Sequence, residues 1–469
     1  MAKTQAKVET PCIAYNAMSA KWPKLDALMD SSAAMRDLGE DVLPKAKAEE
    51  SDCYDVRLAM AYLYGSYKKT VKKVAGKPFS KNVTIQGDLA GPLSMIKCDV
   101  DNKQTAIEEF GRDLVEEGVH RGLTHILVDY PVTVDESGKT PTLAEEREEG
   151  LKPYFTHISP KDLISWTFGE DGKLDEIRFK ESSVEKDGTW GEKKVDRIRV
   201  ITRTTFEVYR KTDKEYIFEN GGDHSFGKVP LITIYMNKTG EMTGESCLTM
   251  LAEAEEDYFQ SKADQKYGLH YGRFPFLAAT GLTSDEAKEP IVVSARTFLR
   301  STNEKAKYSW VTHDGQIFDI GFKDLDRIIA RMEALGLEPM VQRSGNVTAT
   351  SKAIDQSNYD SDMQSWIRLV ENAIEQAYRL AAEIIGTELP EDFKVNIFNE
   401  FSISVKSNEY TEYLLKSCVG GLISKETYWE ALRRFGILPE NHNAETEKER
   451  LEEQGPELGT LGLEGDDDE

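Results

Sequence analysis

Between Thr348 and Ile385 the chain reads TATSKAIDQSNYDSDMQSWIRLVENAIEQAYRLAAEII, with no proline or glycine before Gly386. Met363, Trp366, Ile367, Val370, Ile374, Ala377, Leu380 and Ile384 recur every three to four positions, which predicts one amphipathic helix over 351–386. At 1.5 Å per residue that helix is a rod of about 50 Å, longer than the common helix of a globular domain and typical of elements that span a large assembly. Before it lies LGLEPMVQRSGNV, a proline followed by a polar stretch around Gly345. Whatever the chain folds into must seat this rod and the loop that leads into it.

The rest of the sequence alternates helical and strand-like blocks. YNAMSAKWPKLDALM and CYDVRLAMAYLYGSYKKTVKKVAGKPF predict two amphipathic helices, the second stopping at Gly76 and Pro78. DNKQTAIEEFGRDLVEEGVHRG predicts a helix capped by Asp101 or Asn102 and closed by Gly122, followed by the strand THILVDYPV. LISWTF, LDEIRFKESSVE, VDRIRVITRTTFEVYR, EYIFEN and PLITIYM alternate in a two-residue period and are separated by turn clusters, predicting an antiparallel sheet. A helix from Ser246 to Tyr271 and the helix KDLDRIIARMEALG bracket a strand-containing insert that includes PIVVSA and TFLRS. SNEYTEYLLKSCVGGLISKETYWEALRRFGILP predicts a helical hairpin with Ser407 and Ser424 as N-caps and Gly420 and Gly436 as stops, ahead of a Glu-rich tail expected to be solvated. The fold class expected is α+β, mainly helical.

Charge and motifs narrow the function. A formal charge of −24 means that most of the surface repels nucleic acid and anionic membranes at long range, so any DNA contact has to be local or weak. The beginning MAKTQAKVETPC has no apolar core, and no stretch reaches the ~20 apolar residues that cross a bilayer; a soluble intracellular protein without membrane contact is expected. Five scattered cysteines without a C-x-x-C pair are expected to be buried or inert thiols, and His120 and His125, on opposite sides of a helix end, do not suggest a shared metal. TVDESGKT, residues 133–140, ends like a phosphate loop, but Thr133 stands where the first glycine is required and Asp135 and Glu136 would repel phosphate. CDVDN lacks the further ligands of a calcium loop, and Lys425, Glu426 and Glu430 give the C-terminal hairpin no basic reading face. The expectation is no enzyme, no catalytic residue, no metal and no cofactor.

The order of these blocks resembles the portal protein of tailed bacteriophages, nearest to portals of short-tailed phages. The resemblance rests on YDVRLAMAYLYGSYKKTVKKVAGKPF, ILVDYP with KPYFTHISPKDLISW, GRFPFLAATG, RSGNVTATSKA before the long helix, and GGLISKETYWEALRRFGILPEN, taken in order along the chain. It implies a portal-like fold: a wing over 1–245, stem helices at 246–272 and 322–338, a clip at 273–321, a tunnel loop at 339–350, the long wing helix at 351–386, a crown-like region at 387–442 and an acidic tail at 443–469. It also implies a head-tail connector of about twelve copies at one capsid vertex of the virion, assembled in the host cytoplasm. DNA packaging and ejection pass through it. Its implied partners are the major capsid protein, the terminase large subunit, a tail adaptor and weakly, sequence-independently bound double-stranded DNA. Gln342, Arg343, Ser344, Asn346 and Thr348 become the DNA-facing side chains. With one arginine they suit a pore in which DNA slides, because each further lysine-phosphate contact adds affinity through counterion release. The alternatives are a plain surface loop between two helices and, for the chain as a whole, an enzyme of nucleic-acid metabolism with an unrecognised site or a monomeric adaptor or scaffold.

Overall fold

The structure, a computed structural model, describes residues 7–89, 91–131, 152–224, 226–273, 276–282, 301, 303–311, 315–336, 349–399, 412–434 and 438, with backbone alone at 276, 349–360, 430, 431, 433 and 434. The chain divides into two compact units, one comprising 1–343 with 365–398 and the other 344–364 with 399–469.

The first unit opens with α1 (Ile13–Ser19), α2 (Trp22–Asp30) and α3 (Ser32–Asp37), then α4 (Ser51–Met60) and α5 (Ser66–Gly76). Each helix expected here is therefore broken into shorter pieces. Pro23, which cannot donate a backbone hydrogen bond, sits in the first turn of α2, and Ser31 caps α3 through the Ala34 amide. Between α4 and α5 the backbone is extended at Ala61 and left-handed at Gly65, φ 85°, a conformation that favours glycine.

Strand β1 (Thr84–Gln86), helix α6 (Pro92–Met95) and helix α7 (Ile107–Arg121) follow. Helix α7 starts at Ile107, later than the acidic cap suggested, because Asp101 is used in the preceding turn: it accepts from the amides of Lys103 and Thr105 and from the Thr105 hydroxyl. Gly122, φ 87°, ends the helix as expected, and its close approach to the Glu245 backbone leaves no room for a side chain.

Strand β2 (Leu123–Asp129), buried at every position, is the centre of a three-stranded antiparallel sheet between β3 (Tyr154–Ile158) and β9 (Leu231–Tyr235). The antiparallel meander β4 (Leu163–Phe168), β5 (Leu174–Asp187), β6 (Gly191–Thr202), β7 (Thr205–Lys211) and β8 (Tyr216–Asp223) is a separate sheet. Two expectations change here. VDRIRVITRTTFEVYR is two strands divided at Arg203 and Thr204, and PLITIYM pairs with β2 instead of joining the meander. Leu127, Ile158, Leu163, Ile177, Phe179 and Ile201 form one buried cluster contributed by both sheets.

A two-strand ribbon, β10 (Lys238–Gly240) with β11 (Thr243–Gly244), leads into helix α8 (Thr249–Gly272). Strands β12 (Phe276–Thr280) and β13 (Lys307–Val311) pair antiparallel, and helix α9 (Gly315–Leu335) returns. Helix α9 begins at Gly315, earlier than the Lys323 read from the sequence, so its first turns lie in the stretch 273–321 that the resemblance gave to the insert. Helix α10 (Ala349–Ile384) has 36 residues, about 54 Å of helix, matching the predicted rod to within two residues at each end. Its buried positions Met363, Ile367, Val370, Ile374 and Ala377 are those of the predicted stripe. In the first unit Tyr378 packs edge-on against Phe155 at 5.3 Å, and β14 (Lys394–Asn396) pairs with β1.

In the second unit helix α11 spans 412–419 and α12 covers Lys425–Arg434. Ser424 caps α12 through the Thr427 amide, as expected, whereas Ser407, Gly436 and the acidic tail lie outside the described residues. The described residues mix helix and sheet, which corrects the mainly helical balance to a plain α+β one. Among the described residues no helix is long and apolar enough to cross a membrane.

Candidate functional site: a strand-tipped helix hairpin and its anchor

Helices α8 and α9 form a hairpin with two contrasting halves. In α8 the buried side chains run from Leu251 to Ala263, and in α9 they are Leu325, Ile328 and Met332; from Asp264 to Gly272 and from Gly315 to Asp324 no described side chain is buried. The unburied half is nevertheless apolar in places: Ile317 and Ile320 are more than 60% exposed, with Phe322 and, on β13, Trp310 and Val311 also open to solvent. Small residues let the helices approach there. A Cβ on Gly272 would stand 2.3 Å from the Phe318 ring and one on Gly321 1.8 Å from Gln265 Oε1, while the Gln265 amide donates to the Phe318 carbonyl at 2.9 Å.

The buried half, and Asp264 at its border with the unburied half, are held by charges. Glu255 of α8, fully buried, accepts from the amides of Gly65 at 2.6 Å, Ser66 at 2.9 Å and Tyr67 at 3.3 Å, which are orphan donors at the start of α5. Burial raises its pKa, and the backbone hydrogen bonds oppose that rise. Arg57 of α4 donates to both oxygens of Glu49 and to Asp264 of α8 at 2.9 Å, with its guanidinium over the Tyr54 ring.

A second network ties α2, α5 and α7 together. Asp26 accepts from Arg121 at 2.5 Å and Lys161 at 2.9 Å, and lies 3.2 Å from His120 Nε2. Burial pushes the Asp26 carboxyl up, but its bonds to His120 and Lys161 and the Arg121 charge outweigh this and hold it well below the usual carboxylate range. His120 Nδ1 meets the Tyr67 hydroxyl at 2.9 Å, and that hydroxyl meets Ser246 Oγ at 3.1 Å. Both ring nitrogens of His120 have partners, and Ser246 Oγ, besides meeting Tyr67, accepts from the Leu248 amide at 3.2 Å. His125 and His157 are also structural: each ring faces a threonine hydroxyl, Thr233 and Thr124 respectively.

The side chains predicted to face DNA, Gln342, Arg343, Ser344, Asn346 and Thr348, lie outside the described residues, as do TVDESGKT and PIVVSA. Among the described residues no cluster of His, Cys, Asp and Glu could hold a metal ion. None of the five cysteines is in a disulfide; Cys98 is exposed and the other four are partly exposed, so of the expected buried or inert thiols none is fully buried. Asp26, Glu255 and Arg57, which organise the anchor, were not found by motif. Their partners are up to 207 positions away, and the Glu117–Arg121 pair at i,i+4 is the one local signal.

A family described as Domain of unknown function (DUF4055) matches residues 247–385, which run from the start of α8 to the end of α10. No curated protein matches the chain. Among solved structures, a chain from the virion of a native gene transfer agent (GTA) particle is similar at 12% identity and TM-score 0.45, over 86% of this chain and 99% of that one. A chain from the neck of a native GTA particle computed with C12 symmetry is similar at 12% identity and TM-score 0.44, over 85% of this chain and 98% of that one.

Proposed function

We propose that the chain is a phage portal protein: about twelve copies close into a ring at one capsid vertex, DNA is packaged and ejected through the ring, and terminase and then the tail dock on it. The observation that carries this reading is the succession of α8, the β12–β13 pair, α9 and the 36-residue α10, with the far half of the α8–α9 hairpin left unburied and partly apolar. In a ring, side chains such as Ile317 and Ile320 find cover against the next copy through heterologous contacts that close on themselves. In this reading α8 and α9 are the stem, β12 and β13 belong to the clip, and Gln342, Arg343, Ser344, Asn346 and Thr348 meet DNA. The protein has no catalytic role of its own; it is the static channel beside the motor.

The loop assignment is tested by Ser344→Lys with Asn346→Lys, which adds two dozen positive charges to a ring of about twelve. Phosphate contact then strengthens, and DNA passage slows with a steeper salt dependence. Packaging and ejection measured at several salt concentrations should show both changes; unchanged rates in correctly assembled rings would contradict a DNA-facing loop.

A further inference from the structure

The sequence contains one Asn-Gly dipeptide, Asn220–Gly221. Asn-Gly ordinarily makes the turn of a hairpin, but the turn between β7 and β8 is made by 212–215, closed by the Thr212 amide on the Glu215 carbonyl at 2.9 Å. Asn220 and Gly221 instead lie within β8, the outermost strand of the five-stranded sheet. Asparagine and glycine are both depleted in strands, and a glycine inside one often marks a bulge. A bulge is present here: Val208 faces Asn220 while Tyr209 faces Phe218, which leaves Glu219 as an extra residue.

Strand pairing sets the direction of each amide. Just beyond the paired strands the His224 amide donates to the Thr204 carbonyl at 2.7 Å, and antiparallel pairs alternate between bonded and open from there. Phe206–Gly222 and Val208–Asn220 are then bonded pairs and Glu207–Gly221 an open one. The Gly221 N–H therefore points away from β7, toward the edge that no described strand covers. Asn220 and Gly221 are both exposed, and among the described residues no hydrogen bond holds the Asn220 side chain.

We infer that Asn220 is a self-modification site, at which the folded chain converts its own asparagine to aspartate and isoaspartate with water as the co-reactant. The Gly221 nitrogen gives up its proton to solvent base and attacks Asn220 Cγ. A C–N bond closes a five-membered imide as the Cγ–Nδ2 bond breaks, and the side-chain nitrogen leaves as ammonia, taking up the proton. Water then adds to one ring carbonyl, the bond from that carbon to the Gly221 nitrogen breaks, and the nitrogen regains a proton. Addition at Cγ yields aspartate; addition at the Asn220 main-chain carbonyl yields isoaspartate. Nothing is oxidised or reduced. Glycine suits the step because no side chain shields its nitrogen and its backbone turns freely toward Cγ. An edge strand paired on one side also opens locally at low cost. The product carboxylate arises beside Glu219, which accepts from Arg197 at 2.6 Å and Arg210 at 3.1 Å, and isoaspartate lengthens the backbone by a carbon at the bulge.

The test incubates the folded full-length chain at mildly alkaline pH in water enriched in heavy oxygen, then quenches and digests it in ordinary water. Trypsin releases Glu215–Lys228, whose single side-chain amide is that of Asn220. That peptide should gain one heavy carboxyl oxygen and appear as both aspartate and isoaspartate forms. Its rate of conversion in the folded chain should come within about tenfold of the rate in the same chain unfolded in guanidinium, because the open edge and the bulge leave the amide accessible. Asn220→Gln, whose ring would need six members, should lose the heavy oxygen from this peptide. Folded parent chain that takes up no heavy oxygen at position 220, whether or not the unfolded chain converts, would overturn the inference, as would a label that persists in Asn220→Gln.

Discussion

At the scale of single residues the chain concentrates its electrostatic commitments where α5 and α7 meet α2 and α8. Glu255 satisfies three backbone donors, those of Gly65 and Ser66 partly buried and that of Tyr67 buried, so its replacement takes away their acceptor. Glu255→Gln keeps the volume but turns an amide group toward those donors, and urea unfolding should show a loss of about 1–3 kcal/mol. The buried histidines add a pH dependence whose sign is fixed. Burial, reinforced by the nearby His157, depresses the pKa of His125 to about 3, against ~6.5 in an unfolded chain. At pH 7 both states are neutral. As the pH falls below ~6.5 the unfolded chain takes up a proton that the native chain refuses until about 3, so stability is lost across that window. From pH 7 to 5 His125 alone should cost roughly 2 kcal/mol, and His157, also depressed by burial, acts in the same direction. His125→Gln should flatten the decline; an unaltered decline would mean that His125 is not the group responsible.

Elements show where sequence pattern speaks and where it stops. The stripe from Met363 to Leu380, the Gly122 stop and the Ser424 cap were legible because a helix writes its period and its ends into neighbouring residues. The break between α4 and α5 was not, since it depends on Glu255, nearly 190 positions away, receiving the amides that the break exposes. Nor could the pattern of PLITIYM show that its partner is the fully buried β2 and not the meander, because alternation fixes a strand's faces and leaves its neighbours open. For the candidate site, sequence gave the α8–α9 hairpin but not its early start at Gly315 or its anchoring charges. At this scale Gly272→Val is informative. The new side chain meets the Phe318 ring, which is itself held between the helices, and should cost about 1–3 kcal/mol. Gly321→Ala meets only the flexible end of Gln265, which can rotate away, and should cost less. Hydrogen exchange should quicken over 264–272 and 315–324 in the valine variant while 249–263 keeps the parent rate. Quickening spread evenly along α8 would contradict the division of the hairpin into an anchored and a free half.

For the whole molecule, the proposal makes burial a property of the assembly. In that proposal Trp310, Ile317 and Ile320, exposed in one chain, would be covered in a ring, and the acidic surface would limit adhesion to DNA passing through it. The claim is tested most directly by negative-stain imaging of the purified full-length protein, with its mass measured in the same solution. The account predicts closed rings with a central hole and a mass of about twelve 52.8 kDa chains. Particles that remain monomers or dimers at every concentration and salt tried, with no annular class among them, would contradict it.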